Sequence, residues 1–239
     1  MCPPNSIAVV IPALNEAGSI GVLVASVLEG AAICIVVDAG SSDGTAAIAK
    51  EAGATVITAP RGRAKQMNAG AARALEGSAP VDALLFLHAD IALPAQWPTA
   101  LQACPTHRWS RFDVELTSEK LMGWRLGLLH LIGWFMNERS ALTGICTGDQ
   151  GLLVPVDLWR RIEGFADIPL MEDIEISSRL KKAAGTPYRI EARLKVSPRR
   201  WEEQGVFRTM LLMWSYRLRW FFGASAQSLH ARYYRSSQG

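Results

Sequence analysis

The first ninety residues alternate between two hydrophobic patterns. Short runs of β-branched and other apolar residues are typical of strands that are buried on both faces, and between these runs apolar residues recur at helical spacing. The pattern predicts strands over 7–11, 33–37, 55–58 and 83–87, and helices over 20–28, 45–52 and 64–76. Asn15 is the predicted cap of the first helix. Because strands and helices alternate, we expect a parallel sheet with helices on both faces.

The second half of the chain has a different pattern, and six of the eight tryptophans lie in it, after position 120. Its predicted elements are a strand over 148–154, helices over 156–162, 172–184 and 206–223, and one or two strands over 189–197. No internal repeat and no Gly/Ser-rich linker divides the chain. The prediction is therefore one domain over 1–239, with a subdivision near residue 95 and a C-terminal amphipathic helix and tail over 206–239.

Polar side chains follow three of the predicted strands. Asn15 and Glu16 come after the first strand, 38–43 after the second, and His88 and Asp90 after the fourth. The carboxyl ends of parallel strands form the ligand crevice of open α/β sheets. We expect these side chains to line one crevice.

Composition narrows the functional classes. The chain is 49% hydrophobic, which excludes a disordered protein, and its net charge of +3 contains no long basic block, which disfavours nucleic acid as a partner. The four scattered cysteines predict neither a disulfide framework nor a thiolate zinc site. No signal peptide and no apolar stretch of about 20 residues is visible, so a cytoplasmic location is expected, with peripheral contact at the inner face of the membrane as an open alternative.

The loop over 38–45 follows a buried strand and opens a helix. Gly40 and Gly44 permit tight turns, and the Asp38 carboxylate is placed to accept hydrogen bonds from a base or a ribose. An ordinary strand-to-helix turn without a ligand explains the same residues equally well. Both glycine-rich phosphate motifs, GxGxxG and GxxxxGK[ST], are absent from this loop, which argues against a dinucleotide dehydrogenase and a P-loop enzyme.

Three further clusters have candidate chemistry. Asp90, with His88 beside it, has the oxygen chemistry that Mg²⁺ or Mn²⁺ prefers, although a helix cap with a hydrogen-bonded histidine is the alternative. Arg63 and Lys65 enter a helix and suit a phosphate, although a solvated basic loop is the commoner outcome. Glu172 and Asp173 open a helix, where acids complement the helix dipole or where one of them serves as a general base.

Taken together and in order, these segments resemble the inverting glycosyltransferases of family 2, in particular small members in which His-Ala-Asp replaces the metal-binding Asp-x-Asp. The similarity extends over nearly the whole chain. Its nucleotide-sugar side comprises Pro12, Leu14, Asn15, Glu16, Asp38, Gly40, Arg63, Lys65, Asn68, His88, Ala89 and Asp90. Its acceptor and diphosphate side comprises Gly148, Asp149, Gln150, Arg199, Arg200 and Trp201, and Glu172 and Asp173 match the catalytic segment.

The resemblance implies a GT-A fold of the α/β class, with a Rossmann-like nucleotide-sugar-binding half over 1–95 and an acceptor half over 96–205. It also implies transfer of a sugar from a nucleoside-diphosphate sugar, with UDP favoured, to an unassigned hydroxyl acceptor. Asp90 would hold Mg²⁺ or Mn²⁺, and Asp173 would be the base. The chain departs from the family pattern at Ala39, at His88 and at Glu163. A nucleotidyltransferase and a non-catalytic nucleotide-sugar-binding protein are the alternatives.

The C-terminal helix has an apolar arc with basic flanks. The arc comprises Met210, Leu211, Trp214, Leu218, Phe221 and Phe222, and the flanks are Arg208, Arg217 and Arg219. This pattern is typical of a helix at a membrane surface, and residues 121–136 could form a second one. The alternative is that both helices pack against the catalytic half. A lipid-linked acceptor would fit the membrane interpretation, and the oligomeric state stays open.

Overall fold

The computed structural model describes residues 6–77, 80–118 and 120–236. An eight-stranded sheet has the order β3-β2-β1-β4-β7-β6-β8-β5. The strands are β1 (Ile7–Ala13), β2 (Ile33–Asp38), β3 (Thr55–Thr58), β4 (Ala83–Phe86), β5 (Ile91–Ala92), β6 (Ser110–Leu116), β7 (Leu152–Pro155) and β8 (Tyr188–Val196). The helices are α1 (Ile20–Leu28), α2 (Thr45–Glu51), α3 (Arg63–Leu75), α4 (Trp97–Gln102), α5 (Trp124–Thr143), α6 (Val156–Arg161), α7 (Glu172–Ala184), α8 (Arg199–Gln204), α9 (Val206–Phe221) and α10 (Ala226–Ser236).

The first half is the predicted parallel sheet. Strands β3, β2, β1 and β4 are neighbours in parallel register. Alternate residues of β1 enter opposite cores, since Val9 packs on the side of α1 and Val10 on the side of α3. Helix α3 lies so close to the sheet that a Cβ on Gly70 would be 2.3 Å from Val10 Cγ1. The expected α/β fold with a mostly parallel sheet is confirmed for this half, and it directs the strand ends toward one edge.

The second half joins the sheet by antiparallel pairing. Strand β7 runs antiparallel to both β4 and β6, whereas β6 and β8 are parallel to each other. The pattern did not predict β6, because Arg111 and Asp113 interrupt its apolar residues. Both side chains are buried, and they form an ion pair with each other.

Two other predictions need correction. The strand expected over 148–154 begins only at Leu152, since Gly148–Gln150 is a turn of 3-10 helix and Gly151 has a φ of 59°. The predicted tail after residue 223 contains the helix α10.

The apolar faces of α5 and α9 are mostly exposed. Leu211, Trp214, Leu218, Phe221 and Phe222 on or next to α9 are all more than half exposed, and Met210 packs partly against the third core cluster. On α5, Trp124, Leu131, Trp134, Phe135 and Leu142 are also exposed. The alternative that these arcs pack against the catalytic half is therefore wrong for most of their residues. Within the described residues, no helix is long and apolar enough to cross a membrane.

Candidate active site

Two loops at the ends of β1 and β2 are tied together by hydrogen bonds. The Asn15 amide N–H donates to Ser41 Oγ at 2.9 Å, and Asn15 Oδ1 accepts from the Ser42 amide at 2.9 Å. The Glu16 amide donates to Thr45 Oγ1 at 2.8 Å. Asn15 holds this geometry with a φ of 56°. Its predicted role as helix cap is wrong, because the residue before α1 is Ser19.

Asp38 offers an unused acceptor at this edge. Its Oδ2 accepts hydrogen bonds from the amides of Gly40 and Ser41, both at 3.0 Å. Its Oδ1 is buried and has no partner among the described residues. A buried carboxylate oxygen without a donor is costly, so the position favours a ligand that brings an N–H or O–H group.

Two amide side chains of α3, Gln66 and Asn68, form hydrogen bonds with backbone groups around the site. Gln66 Nε2 donates to the carbonyl oxygens of Ala13 at 3.1 Å and Val37 at 2.8 Å, which fixes the ends of β1 and β2 together. Asn68 Nδ2 donates to the Phe165 carbonyl oxygen at 2.8 Å, and Asn68 Oδ1 accepts from the Phe165 amide at 2.9 Å. Asn68, predicted to bind the donor, therefore links the two halves here. Gln66 was not predicted as a site residue, although it lies between the predicted donor-binding residues Lys65 and Asn68.

His88 and Asp173 belong to one connected group. His88 Nδ1 lies 3.2 Å from Asp149 Oδ1. Gly148 packs closely against the histidine, since a Cβ at Gly148 would be 2.3 Å from His88 Nε2. The Gly148 amide donates to Asp173 Oδ2 at 3.0 Å, and the Ile174 amide donates to Asp173 Oδ1 at 2.8 Å. These bonds fix the orientation of the Asp173 carboxylate.

A small cavity lies next to this group. Its lining residues are Met67, Phe86, His88, Cys146, Thr147, Gly148, Leu152, Phe165, Glu172, Asp173 and Ser177. The structure thus brings the histidine of the fourth strand end to the acidic pair at the start of α7. Asp90 does not line this cavity.

Glu172 is the buried member of the acidic pair, with 5% of its surface exposed. Burial raises the pKa of its carboxyl, the neighbouring Asp173 raises it further, and Arg63, whose Nη1 is 3.9 Å from Glu172 Oε1, opposes the shift. The shift implies that burial of the Glu172 carboxylate destabilises the fold.

We expect Glu172→Gln to stabilise the protein at neutral pH. When the pKa of a carboxyl is higher in the folded protein than its ordinary value of about 4.3, the protein loses stability as pH rises from that ordinary value through the folded pKa. The amide does not ionise, and the lost contact with half-exposed Arg63 is worth little. Melting temperatures measured from about pH 4 to pH 8 should diverge with pH in favour of the variant. Exposed Glu163→Gln is the control, and a pH-independent difference would contradict the account.

Asp90 lies in a separate acidic group with Glu16. Burial raises the pKa of Glu16 most, Arg199 lowers it from a distance of 3.4 Å, and the charge of Asp90 raises it. In the described part of the chain no three His, Cys, Asp or Glu side chains form a ready metal cage. Mg²⁺ is commonly held by one or two carboxylates together with substrate phosphates. The donor set at Asp90 fits an ion of that kind.

The remaining predicted residues have varied surroundings. Lys65 Nζ is 3.7 Å from Asp167 Oδ2 at the surface. Gln150 is fully buried, and its Oε1 accepts from the Thr147 amide at 3.2 Å. Pro12, Ala89 and Trp201 are buried, Leu14 is exposed and Asp149 is partly exposed. Trp201 packs with Leu129 and Ile132 in the third core cluster. Arg200 lies on α8, but its side chain is outside the described part of the structure.

Two half-buried arginines are affected by the charge of Asp173, and neither was predicted as a site residue. Arg139 was not singled out, and Arg217 was assigned to the basic flank of an exposed helix. The charge of Asp173 acts on both, raising the pKa of each against the effect of burial. Arg139 interrupts the apolar spacing of α5, and this interruption was the sequence feature that could have singled it out.

The sequence profile of glycosyl transferase family 2 matches residues 8–103. No curated protein matches the sequence. Among solved structures, glucosyl-3-phosphoglycerate synthase from Mycobacterium tuberculosis with Mn²⁺, UDP and glucosyl-3-phosphoglycerate has a TM-score of 0.51 at 19% identity, covering 80% of this chain and 70% of that one. The same enzyme with Mg²⁺ and UDP gives 0.50 at 19% identity, with coverages of 80% and 69%.

Mannosyl-3-phosphoglycerate synthase from Rubrobacter xylanophilus has a TM-score of 0.49 at 19% identity, with coverages of 80% and 65%. The chain thus spans 65% to 70% of the length of these three solved chains. At 19% identity, the two structures of the mycobacterial synthase show a shared GT-A fold.

Proposed function

We propose that this protein is a glycosyltransferase of family 2, whose sequence profile matches residues 8–103, and that it moves a sugar, with inversion, from a nucleoside-diphosphate sugar to a hydroxyl acceptor. The observation that carries the proposal is the chain of contacts from His88 through Asp149 and Gly148 to Asp173. It places a fixed carboxylate next to the end of β4, where parallel α/β sheets bind their ligands.

The donor would bind across the ends of β1 and β2. The unpartnered Asp38 Oδ1 would accept a hydrogen bond from the base or ribose, and the tied loops after β1 and β2 would fix the nucleoside. Asp90 would hold Mg²⁺ or Mn²⁺, which when bound offsets negative charge on the departing diphosphate. Arg63 and Lys65, at the first turn of α3, would add positive charge there. The UDP complexes of the mycobacterial synthase support UDP as the nucleotide.

Asp173 would act as the general base. Its carboxylate accepts two backbone hydrogen bonds, which hold it in place and leave lone pairs for a substrate proton. It would take the acceptor hydroxyl proton as the oxygen attacks the anomeric carbon, with the nucleotide leaving from the opposite side. Buried Glu172, the other member of the acidic pair, would help to position Asp173.

Nucleotide binding tests this proposal directly. Thermal-shift measurements with UDP should show a rise in melting temperature that grows when Mn²⁺ is added, because a ligand that binds only the folded state stabilises it. AMP with Mn²⁺ is the matched control and should give a smaller shift. The absence of any shift with UDP and Mn²⁺ would contradict the assignment.

Donor turnover separates the enzyme from its alternatives. A nucleotidyltransferase should carry a Gly-rich basic signature after its first strand, and β1 is followed instead by Leu14, Asn15 and Glu16. A non-catalytic binding protein would bind UDP but would not hydrolyse a UDP-sugar. Release of UDP from UDP-glucose above the uncatalysed rate would therefore favour the enzyme.

We also propose that the exposed faces of α5 and α9 contact an anionic membrane surface. Each helix presents a stripe of aromatic and aliphatic side chains on the face opposite its buried residues. Exposed Arg208 and Arg219 flank the stripe of α9, and exposed Arg125 stacks on Trp124 at 5.5 Å. Apolar faces with basic flanks are typical of helices that lie at the lipid interface.

Co-sedimentation with vesicles tests the membrane contact. The wild-type protein should pellet with phosphatidylglycerol-containing vesicles, less with pure phosphatidylcholine, and poorly after Trp214→Ser with Phe221→Ser, since the apolar anchors are removed. Substituting exposed Val22, on the far helix α1, with serine is the control. Equal pelleting of wild type and double variant, or none by wild type, would refute the proposal.

A further inference from the structure

A buried serine hydroxyl joins α7 to the chain segment that precedes the turn of 3-10 helix. Ser177 is 1% exposed and lies one helical turn after Asp173. Its Oγ donates to the Asp173 carbonyl oxygen at 2.7 Å and accepts from the Cys146 amide at 3.1 Å. The Cys146 carbonyl oxygen is 3.4 Å from the same Oγ, but a hydroxyl has one hydrogen, and the 2.7 Å contact is the shorter. Ser177 thus connects the backbone of the proposed base to a segment that is distant in sequence.

The segment that contains Cys146 and Gly148 is attached to α7 at two points with matching spacing. The Cys146 amide donates to Ser177 Oγ, and the Gly148 amide donates to Asp173 Oδ2 at 3.0 Å. Thr147, between the two donors, is extended, with a φ of −106° and a ψ of 157°. Alternate residues of an extended segment are about 6.6 Å apart, and helix positions i and i+4 share one face and are about 6 Å apart along the axis. Two alternate donors therefore reach two acceptors on one face of α7.

One of the two bonds to the Asp173 carboxylate depends on where this segment, 146–148, lies. The Ile174 amide, which donates to Oδ1, belongs to the next residue of α7, so that bond moves with the helix. The Gly148 amide, which donates to Oδ2, belongs to the segment. The last torsion of an aspartate side chain is only weakly restricted. A single donor therefore leaves the carboxylate free to rotate, and the bond from Gly148 fixes its plane.

The bond from Cys146 distinguishes Ser177 from an ordinary helical serine. Serines within helices often donate to the carbonyl oxygen of residue i−4, which is a purely local contact. Cys146 is 2% exposed, and without the Ser177 hydroxyl its amide would lose its acceptor. A buried amide without a partner is costly, so the segment would shift to satisfy it. Ser140 on α5 also contacts Cys146, but only at Sγ, at 3.6 Å, and does not hold the backbone amide.

We propose that Ser177 is a positioning residue of the active site. It holds the segment 146–148 against α7, so that the Gly148 amide fixes the Asp173 carboxylate in the orientation that receives the acceptor proton. This inference rests on the proposed glycosyltransferase function and adds to it a residue that acts through Asp173. Small displacements of a reacting group lower the rate of the chemical step strongly. The effect of Ser177 should therefore appear in turnover and not in donor binding.

Steady-state kinetics of UDP release from UDP-glucose test the proposal. We expect Ser177→Ala to lower kcat about tenfold, less than the loss of the base itself, with KM and UDP affinity near the wild-type values. Ser177→Thr keeps a hydroxyl that can bond the i−4 carbonyl and should recover most of the turnover. Ser140→Ala is the matched control, because Ser140 is equally buried and contacts the same cysteine. It should keep the wild-type kcat even where it lowers the melting temperature as much as Ser177→Ala.

Amide hydrogen exchange, followed by NMR, tests the attachment without reference to activity. The Cys146 and Gly148 amides should exchange at least about tenfold faster in Ser177→Ala than in Ser140→Ala, because the segment opens locally. If the wild type neither binds UDP nor releases it from UDP-glucose, the proposed function fails, and the exchange comparison still tests the role of Ser177. A wild-type kcat in Ser177→Ala, or an equal fall in kcat in Ser140→Ala, would overturn the proposal. Unchanged exchange at Gly148 in Ser177→Ala would also overturn it.

Discussion

Replacing Asp173 with asparagine should lower donor turnover at least about a hundredfold, the lower end of what general-base catalysis contributes. The amide has nearly the shape of the carboxylate, but only its oxygen accepts, so asparagine keeps one of the two hydrogen bonds from the Gly148 and Ile174 amides. It cannot take a proton at neutral pH. Because UDP would bind at the ends of β1 and β2, its affinity should stay near the wild-type value. UDP release from UDP-glucose measures turnover, and titration with UDP measures affinity.

The control for this variant is Glu175→Gln on the same first turn of α7. Glu175 forms an i,i+4 pair with Arg179, with Arg179 Nε 2.6 Å from Glu175 Oε1. Its loss should cost a few tenths of a kcal/mol of stability, roughly 0.3–0.5, and leave turnover near wild type. Near-normal turnover in Asp173→Asn would remove Asp173 from the role of base.

Replacing Asp90 with alanine should abolish the part of UDP binding that depends on Mn²⁺. In its absence Glu16 is the nearby carboxylate, and Glu16 is partly occupied by Arg199. We expect UDP affinity in Mn²⁺ to fall tenfold or more, to the value measured without metal. Calorimetric titrations with Mn²⁺ and with EDTA give both values.

Exposed Asp157→Ala removes an equal charge from α6 and is the control for Asp90→Ala. It should keep the wild-type response to Mn²⁺. A variant at Asp90 that still binds UDP more tightly with Mn²⁺ would show that another group holds the ion.

The sequence predicted the first half of the fold well because three of its four strands, β1, β2 and β4, are buried on both faces. Residues of β1 and β2 are apolar on either side of the sheet, and no solvent-facing residue interrupts the run. Strand β6 was not predicted because one of its two faces carries the buried, paired charges of Arg111 and Asp113. In a sequence, charged residues that form a buried ion pair give the same pattern as charged residues on a solvent-exposed strand face.

The candidate site was predictable in its residues but not in their grouping. Motif order indicated His88, Asp149 and Asp173 separately, and the fold joins them through the close approach of His88 to Gly148. Sequence spacing contains no information on such a contact. The proximity of Asp90 to Glu16 and the partial burial of Arg217 depend on long-range packing in the same way.

Anomalous scattering from Mn²⁺ in a crystal of the protein with UDP tests the central claim most directly. The account predicts a manganese peak at the Asp90 carboxylate, with the uridine next to Asp38 and the diphosphate between the metal and the side of the site occupied by Asp173. A peak away from Asp90, or UDP bound where Asp173 cannot face the β-phosphate, would contradict it.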